Sequence, residues 1–177
     1  MMKKVVAVVC TFALAGGILA GCSSNSTSSS SDAKSENKTE TATEQKADTA
    51  EVKAPESDVA MNYTTPADLE ANLDGYLIVD VRKADDYKAG HIPGAINADM
   101  DAAKDGDFQS GVDNMTAALE EATGSKTGAD KKMVLVCYSG KRYAQAGTNV
   151  LSALGADMDN VTTLEGGMKA WTGATEA

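Results

Sequence analysis

A cysteine that follows a run of apolar residues and precedes a glycine and two cations has the makings of a nucleophile. Here Met133-Val134-Leu135-Val136 runs into Cys137-Tyr138-Ser139-Gly140-Lys141-Arg142. The apolar run reads as a buried strand, and a helix is predicted from the cations to about Leu154. Between them the backbone turns sharply, so several consecutive N–H groups can curl around one point. The helix adds the positive end of its dipole there. Both effects favour an anion at the loop centre, and the Cys137 sulfur is placed to be that anion. A thiolate so held is nucleophilic at neutral pH. The competing reading is a core cysteine that merely ends a strand. Such a cysteine has no use for an adjacent glycine and two cations, which favours the chemical reading.

Other residues invite a role. Asp80 and Arg82 end a second apolar run, Tyr76-Leu77-Ile78-Val79-Asp80-Val81, and so can reach the same end of a sheet. Arg82 reads first as a structural ion pair with Asp85 or Asp86. His91 is the only histidine. Its place in Gly90-His91-Ile92-Pro93-Gly94 points to a structural hydrogen bond before general-base catalysis. One histidine and one remaining thiol make a protein metal site improbable, and no cofactor is expected.

The elements that must position Cys137 are legible as a pattern. Thr65-Pro66 starts a helix that Ala67 to Leu73 continues and Asp74-Gly75 ends. Asp85 to Lys88 form a short helical turn closed by Gly90. Ala95-Ile96-Asn97 is a short strand, and Val112 to Ala122 a helix. Val161-Thr162-Thr163-Leu164 is the last strand, and Gly166-Gly167 turns into a closing helix carrying Trp171. Strands alternating with helices predict an α/β domain around a mostly parallel five-stranded sheet, with helices on both faces. In such folds ligands gather at the carboxyl ends of strands, where Cys137 falls.

Three stretches resemble the rhodanese family. Val79-Asp80-Val81-Arg82, with Asp86-Tyr87 and Gly90 to Asn97, is similar to its first signature. Cys137 to Arg142 is similar to its active-site loop, and Leu164-Glu165-Gly166-Gly167 with Ala170-Trp171 to its C-terminal signature. The resemblance implies a sulfurtransferase without cofactor. In it, Cys137 takes the outer sulfur of a small anionic donor such as thiosulfate and passes it to a thiol or cyanide. The amides of Tyr138, Ser139, Gly140, Lys141, Arg142 and Tyr143 would cradle the persulfide. Lys141 and Arg142 would draw in the donor, with Asp80, Arg82 and His91 in support. Phosphatase and arsenate-reductase relatives place an arginine six residues after the cysteine; here that residue is Tyr143, and Arg142 comes one position early. The shorter loop suits a single sulfur better than a phosphoryl group. A second alternative is a surface module that carries sulfane sulfur without turnover.

The N-terminus is read as processing signal. Lys3-Lys4, an uncharged apolar run from Val5 to Ala20 and then Leu19-Ala20-Gly21-Cys22 resemble a bacterial lipobox. The resemblance implies cleavage before Cys22 and acylation of its sulfur and new amino group. Residues 1–21 are then signal, residues 22–58 a lipidated Ser/Thr/Glu/Lys-rich tether without means to bury a core, and residues 59–177 the domain. The expected product is exported, monomeric, and bound to the cell membrane through lipid alone, its domain facing outside the cytoplasm. Residues 1–21 hold two lysines and no acid, so their loss takes the net charge from −10 to −12. That charge disfavours nucleic acid as a partner. With Cys10 removed and Cys22 alkylated, Cys137 is left as the one free thiol.

Overall fold

The computed structural model describes residues 51–177. Five parallel strands form its centre: β1 (Tyr63–Thr64), β2 (Leu77–Asp80), β3 (Ile96–Asn97), β4 (Met133–Val136) and β5 (Val161–Leu164). Their order across the sheet is β1-β5-β4-β2-β3, and every pairing is parallel. Four helices connect them: α1 (Pro66–Glu70), α2 (Ala84–Ala89), α3 (Phe108–Thr123) and α4 (Arg142–Ala153).

Strand alternation divides the core in two. Side chains two residues apart share a face of a sheet. Val79 and Val81 of the β2 run, with Met133, Leu135 and Cys137 of the β4 run, pack against Val112, Met115 and Leu119 of α3 and Ala144, Val150 and Leu151 of α4. The alternate residues Ile78, Val134 and Val136 face Leu69 of α1, Ile92, Leu164 and Trp171. With both faces covered, the central strands read as continuous apolar runs, as a buried parallel sheet requires. The alternation runs one residue past the end of β4, so Cys137 belongs to the face that α4 covers.

The helix boundaries follow local chemistry. Thr65 caps α1: its Oγ1 accepts the Asp68 N–H at 3.1 Å and donates to Asp68 Oδ2 at 2.7 Å, with Pro66 at the first helical position. That helix stops at Glu70, and a separate 3-10 turn over Leu73–Gly75 completes the stretch expected to be continuous. Helix α3 begins four residues before the expected start, capped by Asp107, whose carboxylate accepts the Ser110 N–H. Gly111 lies inside it, where a Cβ would come within 2.6 Å of the Ala103 Cβ. The glycine marks close packing and not a helix end.

Three expectations need correction. The closing helix is a single 3-10 turn, Gly167–Lys169, and Trp171 lies beyond it with its indole N–H donating to the Ala174 carbonyl. Strand β1 was not foreseen; its two residues are held at the sheet edge by Thr163 N–H to Asn62 O and Glu165 N–H to Thr64 O. Order also begins before residue 59. Val52 packs on the α3–α4 core, and the Val59 N–H and carbonyl are bonded by Asn149 and Gln145 of α4.

Candidate active site

The carboxyl ends of β2, β3, β4 and β5 converge on one rim of the sheet, and Cys137 emerges there from β4. It is 2 % exposed. The Gly140 N–H points at its sulfur with N···Sγ 3.2 Å. The N–H groups of Ser139, Lys141, Arg142, Tyr143 and Ala144 find no protein acceptor among the described residues. They belong to the loop and to the unsatisfied first turn of α4. These unpaired donors lie in the same loop and first turn as the sulfur that Gly140 N–H contacts, and none is committed to another protein group among the described residues.

Two glycines make this loop possible. Gly140 has φ +67, and a Cβ there would lie 2.7 Å from the Leu164 carbonyl oxygen. Gly167 has φ +58, and its Cβ would lie 2.3 Å from the Cys137 carbonyl oxygen and 2.6 Å from the Ser139 nitrogen. The turn after β5 is therefore pressed directly onto the cysteine loop. It is fastened there by Met168 N–H to Cys137 O, 2.8 Å, and Lys169 N–H to Tyr138 O, 3.1 Å. This accounts for Gly167, the second of the paired glycines that follow β5; at Gly166, φ +70, a Cβ would instead lie 2.6 Å from the Ala170 Cβ.

The side chains of the loop are tied outward. The Tyr138 hydroxyl donates to Asp86. The Tyr143 hydroxyl donates to Asp101 at 2.5 Å, and the two rings meet edge to face with centroids 5.1 Å apart. Burial, reinforced by the Asp86 carboxylate, pushes the Tyr138 phenol up to about 12. Burial first and then Asp101 push Tyr143 higher in the same direction. Both phenols are thus donors throughout the working range of pH. Asp101 in turn is held down at about 2, chiefly by the Tyr143 hydroxyl and also by Lys104 and Lys83, against the opposing effect of burial.

A titration follows from these shifts. A raised phenol pKa favours the protonated form in the fold, so that contribution is present below the ordinary tyrosine value of about 10. It is lost as pH rises through about 12. At a pH about one unit above the ordinary value, Tyr138→Phe is expected to lower the phenolate absorbance by only a small fraction of one tyrosine. Loss of a whole phenolate at that pH would mean that Tyr138 stands clear of Asp86.

The cations divide. Arg142 is 73 % exposed and turned to Asp105, Nη2···Oδ1 3.1 Å. Lys104 is paired with both Asp105 and Asp101. Lys141 is exposed, with no carboxylate partner among the described residues.

The supporting residues are braces. Asp80 and Arg82 form a buried bidentate pair at 2.6 Å, and Arg82 also donates to the Gly90 carbonyl at 2.7 Å. The partner expected for Arg82 was Asp85 or Asp86. The structure supplies Asp80, because residues two apart on an extended strand share a face. Burial works against the Arg82 charge, but the hydrogen bonds and charge of Asp80 outweigh it and raise its pKa. Its guanidinium lies 5.8 Å from the Tyr138 ring centroid, so the pair reaches the active loop through that ring. His91 donates from Nδ1 to the Tyr87 carbonyl at 2.9 Å and stacks on the Tyr87 ring. Its backbone pairs with Glu176. Asp101, Lys83 and Lys104 were not singled out in the sequence. The signal for Asp101 was its position just after β3, the same carboxyl-end rule that located Cys137. Cys22 lies outside the described residues.

The family model of the rhodanese-like domain matches residues 65–174. The chain belongs to the rhodanese-like domain family. A tRNA sulfurtransferase of Pyrobaculum aerophilum is 37 % identical over 79 residues, 44 % of this chain and 13 % of that protein. The match thus spans about an eighth of the relative's length. Among solved structures, a Bacillus halodurans protein is 25 % identical with TM-score 0.47, over 66 % of this rhodanese-like chain and 77 % of the other. A human single-domain sulfurtransferase is 22 % identical with TM-score 0.46, over 63 % and 96 % of the two chains.

Proposed function

We propose that this rhodanese-like protein is a sulfurtransferase in which Cys137 carries the sulfur as a persulfide. The observation that carries the reading is the Gly140 amide aimed at Sγ, in a loop whose neighbouring amides have no protein acceptor. The Cys137 thiolate attacks the outer sulfur of thiosulfate. A new S–S bond forms, the donor's S–S bond breaks, and sulfite leaves with the electron pair. The persulfide anion takes the place of the thiolate, so charge is conserved. The free amides stabilise that terminal sulfur as an oxyanion hole stabilises oxygen. Cyanide or an acceptor thiolate then attacks the terminal sulfur and returns the Cys137 thiolate. Lys141 attracts the donor.

Two side-chain directions favour sulfur over a phosphoryl group. The residue six after the cysteine, where phosphatase relatives place arginine, is Tyr143, and its hydroxyl is committed to Asp101. The one arginine of the loop, Arg142, faces Asp105. Neither completes a clamp on a bulky tetrahedral anion.

We propose further that the chain is exported and held on the membrane by lipid on Cys22. The support is the basic head, the apolar run and Leu19-Ala20-Gly21-Cys22. Two or more acyl chains anchor stably where one does not.

Intact-mass measurement tests both proposals. Protein extracted from membranes is expected to begin at Cys22 and carry diacylglyceryl mass. After thiosulfate it should gain one sulfur atom, and cyanide should remove that atom and release thiocyanate. An unmodified N-terminus would refute the anchor. Folded protein with a free Cys137 that never gains sulfur would refute the sulfurtransferase. Loading without repeated turnover, with thiols or cyanide in excess, would favour sulfur carriage.

A further inference from the structure

We propose that Asp101 is a positioning residue for the cysteine loop, acting through the hydroxyl of Tyr143. The proposal rests on the reading of Cys137 as the nucleophile but adds a residue that lies outside all three signatures. Asp101 follows β3, far in sequence from the loop. Its carboxylate gathers donors from three separate segments: Tyr143 Oη at 2.5 Å from the first turn of α4, Lys104 Nζ at 3.2 Å from the 3-10 turn beyond β3, and Lys83 Nζ at 3.3 Å from the entry to α2.

The carboxylate is itself held in place. Asp99 accepts the Asp101 N–H at 2.8 Å through one oxygen and the Ala84 N–H at 3.2 Å through the other. Thus the connection after β3 is bonded to the connection after β2 before either touches the loop. The Lys104 ammonium lies 5.1 Å from the Tyr143 ring centroid, which places a cation on that ring as well.

Tyr143 is the lever. Its backbone N–H is one of the unsatisfied donors of the first turn of α4, and its ring contacts the core that includes Cys137. Fixing the hydroxyl fixes the orientation of that turn. The amides of the turn must point at the sulfur before the reaction, because donors that reorient during it contribute less. A hydrogen bond to a charged acceptor is strong enough to matter here. The Tyr143 side chain is therefore assigned to orientation and not to binding the donor.

The test uses Asp101→Ala, Tyr143→Phe, their double variant and Asp101→Asn in the full chain. Asn keeps an acceptor for the hydroxyl, and Phe keeps the ring. The first readout is the rate of Cys137 alkylation by iodoacetamide at neutral pH, which needs no sulfur donor. Asp101→Ala and Tyr143→Phe are each expected to slow it about three- to tenfold. The double variant should be no slower than the singles, because both remove one interaction. Asp101→Asn should recover much of the rate. In thiosulfate-to-cyanide transfer, kcat should fall by a similar factor with KM unchanged. Faster alkylation in Tyr143→Phe would show that the ring only shields the sulfur and would overturn the proposal. So would additive losses in the double variant. If alkylation behaves as expected while the wild-type protein never loads sulfur, the positioning role stands and the sulfurtransferase reading fails.

Discussion

Cys137→Ser is expected to abolish sulfur transfer, by on the order of a thousandfold or more, and to leave the domain folded. The loss follows from the proposed mechanism. No other described residue is a free cysteine, so none of them can stand in for Cys137 as the proposed sulfur carrier. A serine hydroxyl in the same cradle does not form a stable bond to sulfane sulfur. The fold is expected to survive because the substitution exchanges one small, buried side chain for another of similar volume. The Gly140 N–H retains an acceptor in the serine oxygen. Comparable thermal unfolding of both proteins, with thiocyanate formed only by the wild type, is the expected pair of results. Equal rates of thiocyanate formation would remove Cys137 from the mechanism.

That prediction depends on how the loop is built. The strand–loop–helix stretch around Cys137 supplies the amides, but it cannot hold its own shape. The turn after β5 presses Gly167 against the Cys137 carbonyl. The connection after β2 reaches Tyr138 through Asp86, and the connection after β3 reaches Tyr143 through Asp101. Each of three neighbouring strand ends thus contributes one fixed point. A parallel sheet brings these ends to one rim by construction, since all its strands point the same way. The site is a consequence of the topology as much as of the motif.

This division explains what could be read from the sequence. The placement of Cys137 between a strand and a helix was legible because strand, glycine, cations and helix are contiguous. The sheet was legible for the same reason: Met133–Val136 and Val161–Leu164 are short apolar or β-branched runs with clear flanks. What failed to show depends on distant partners. Asp101 meets Tyr143 across 42 positions, and Asp86 meets Tyr138 across 52. An aspartate has no local feature that distinguishes a bridge of this kind from a solvated charge. Strand β1 was missed because two residues give no period, and only its pairing with β5 makes it a strand. The early start of α3 was hidden by Gly111, which reads as a breaker until its contact with Ala103 is known. The closing helix was read from the Gly166-Gly167 turn onward and was expected to carry Trp171, but only one 3-10 turn, Gly167–Lys169, forms before that residue.

The largest loss of stability from a single side chain is expected at Asp80. Its carboxylate, 1 % exposed, accepts the Arg82 backbone N–H at 2.9 Å, Nε at 3.0 Å and Nη2 at 2.6 Å. The Arg82 side chain is 8 % exposed and is buried with it. Asp80→Ala leaves a guanidinium, which cannot shed its proton, away from water with only the Gly90 carbonyl as acceptor. Removing one partner of a buried pair costs about 3–5 kcal/mol. For a domain of this size that is a fall in Tm of about 10 °C or more. The cost lies in the orphaned charge and not in the pair as such, so replacing both residues with apolar ones should restore much of the stability. Thermal unfolding of Asp80→Ala and of Asp80→Leu/Arg82→Leu separates the two contributions. A loss below about 1 kcal/mol in Asp80→Ala would mean that water reaches the pair and that it behaves as a surface bridge. Activity should distinguish the variants further. Arg82 braces the Tyr138 ring and the Gly90 carbonyl, so the apolar double variant is expected to be stable yet slower in sulfur transfer than the wild type.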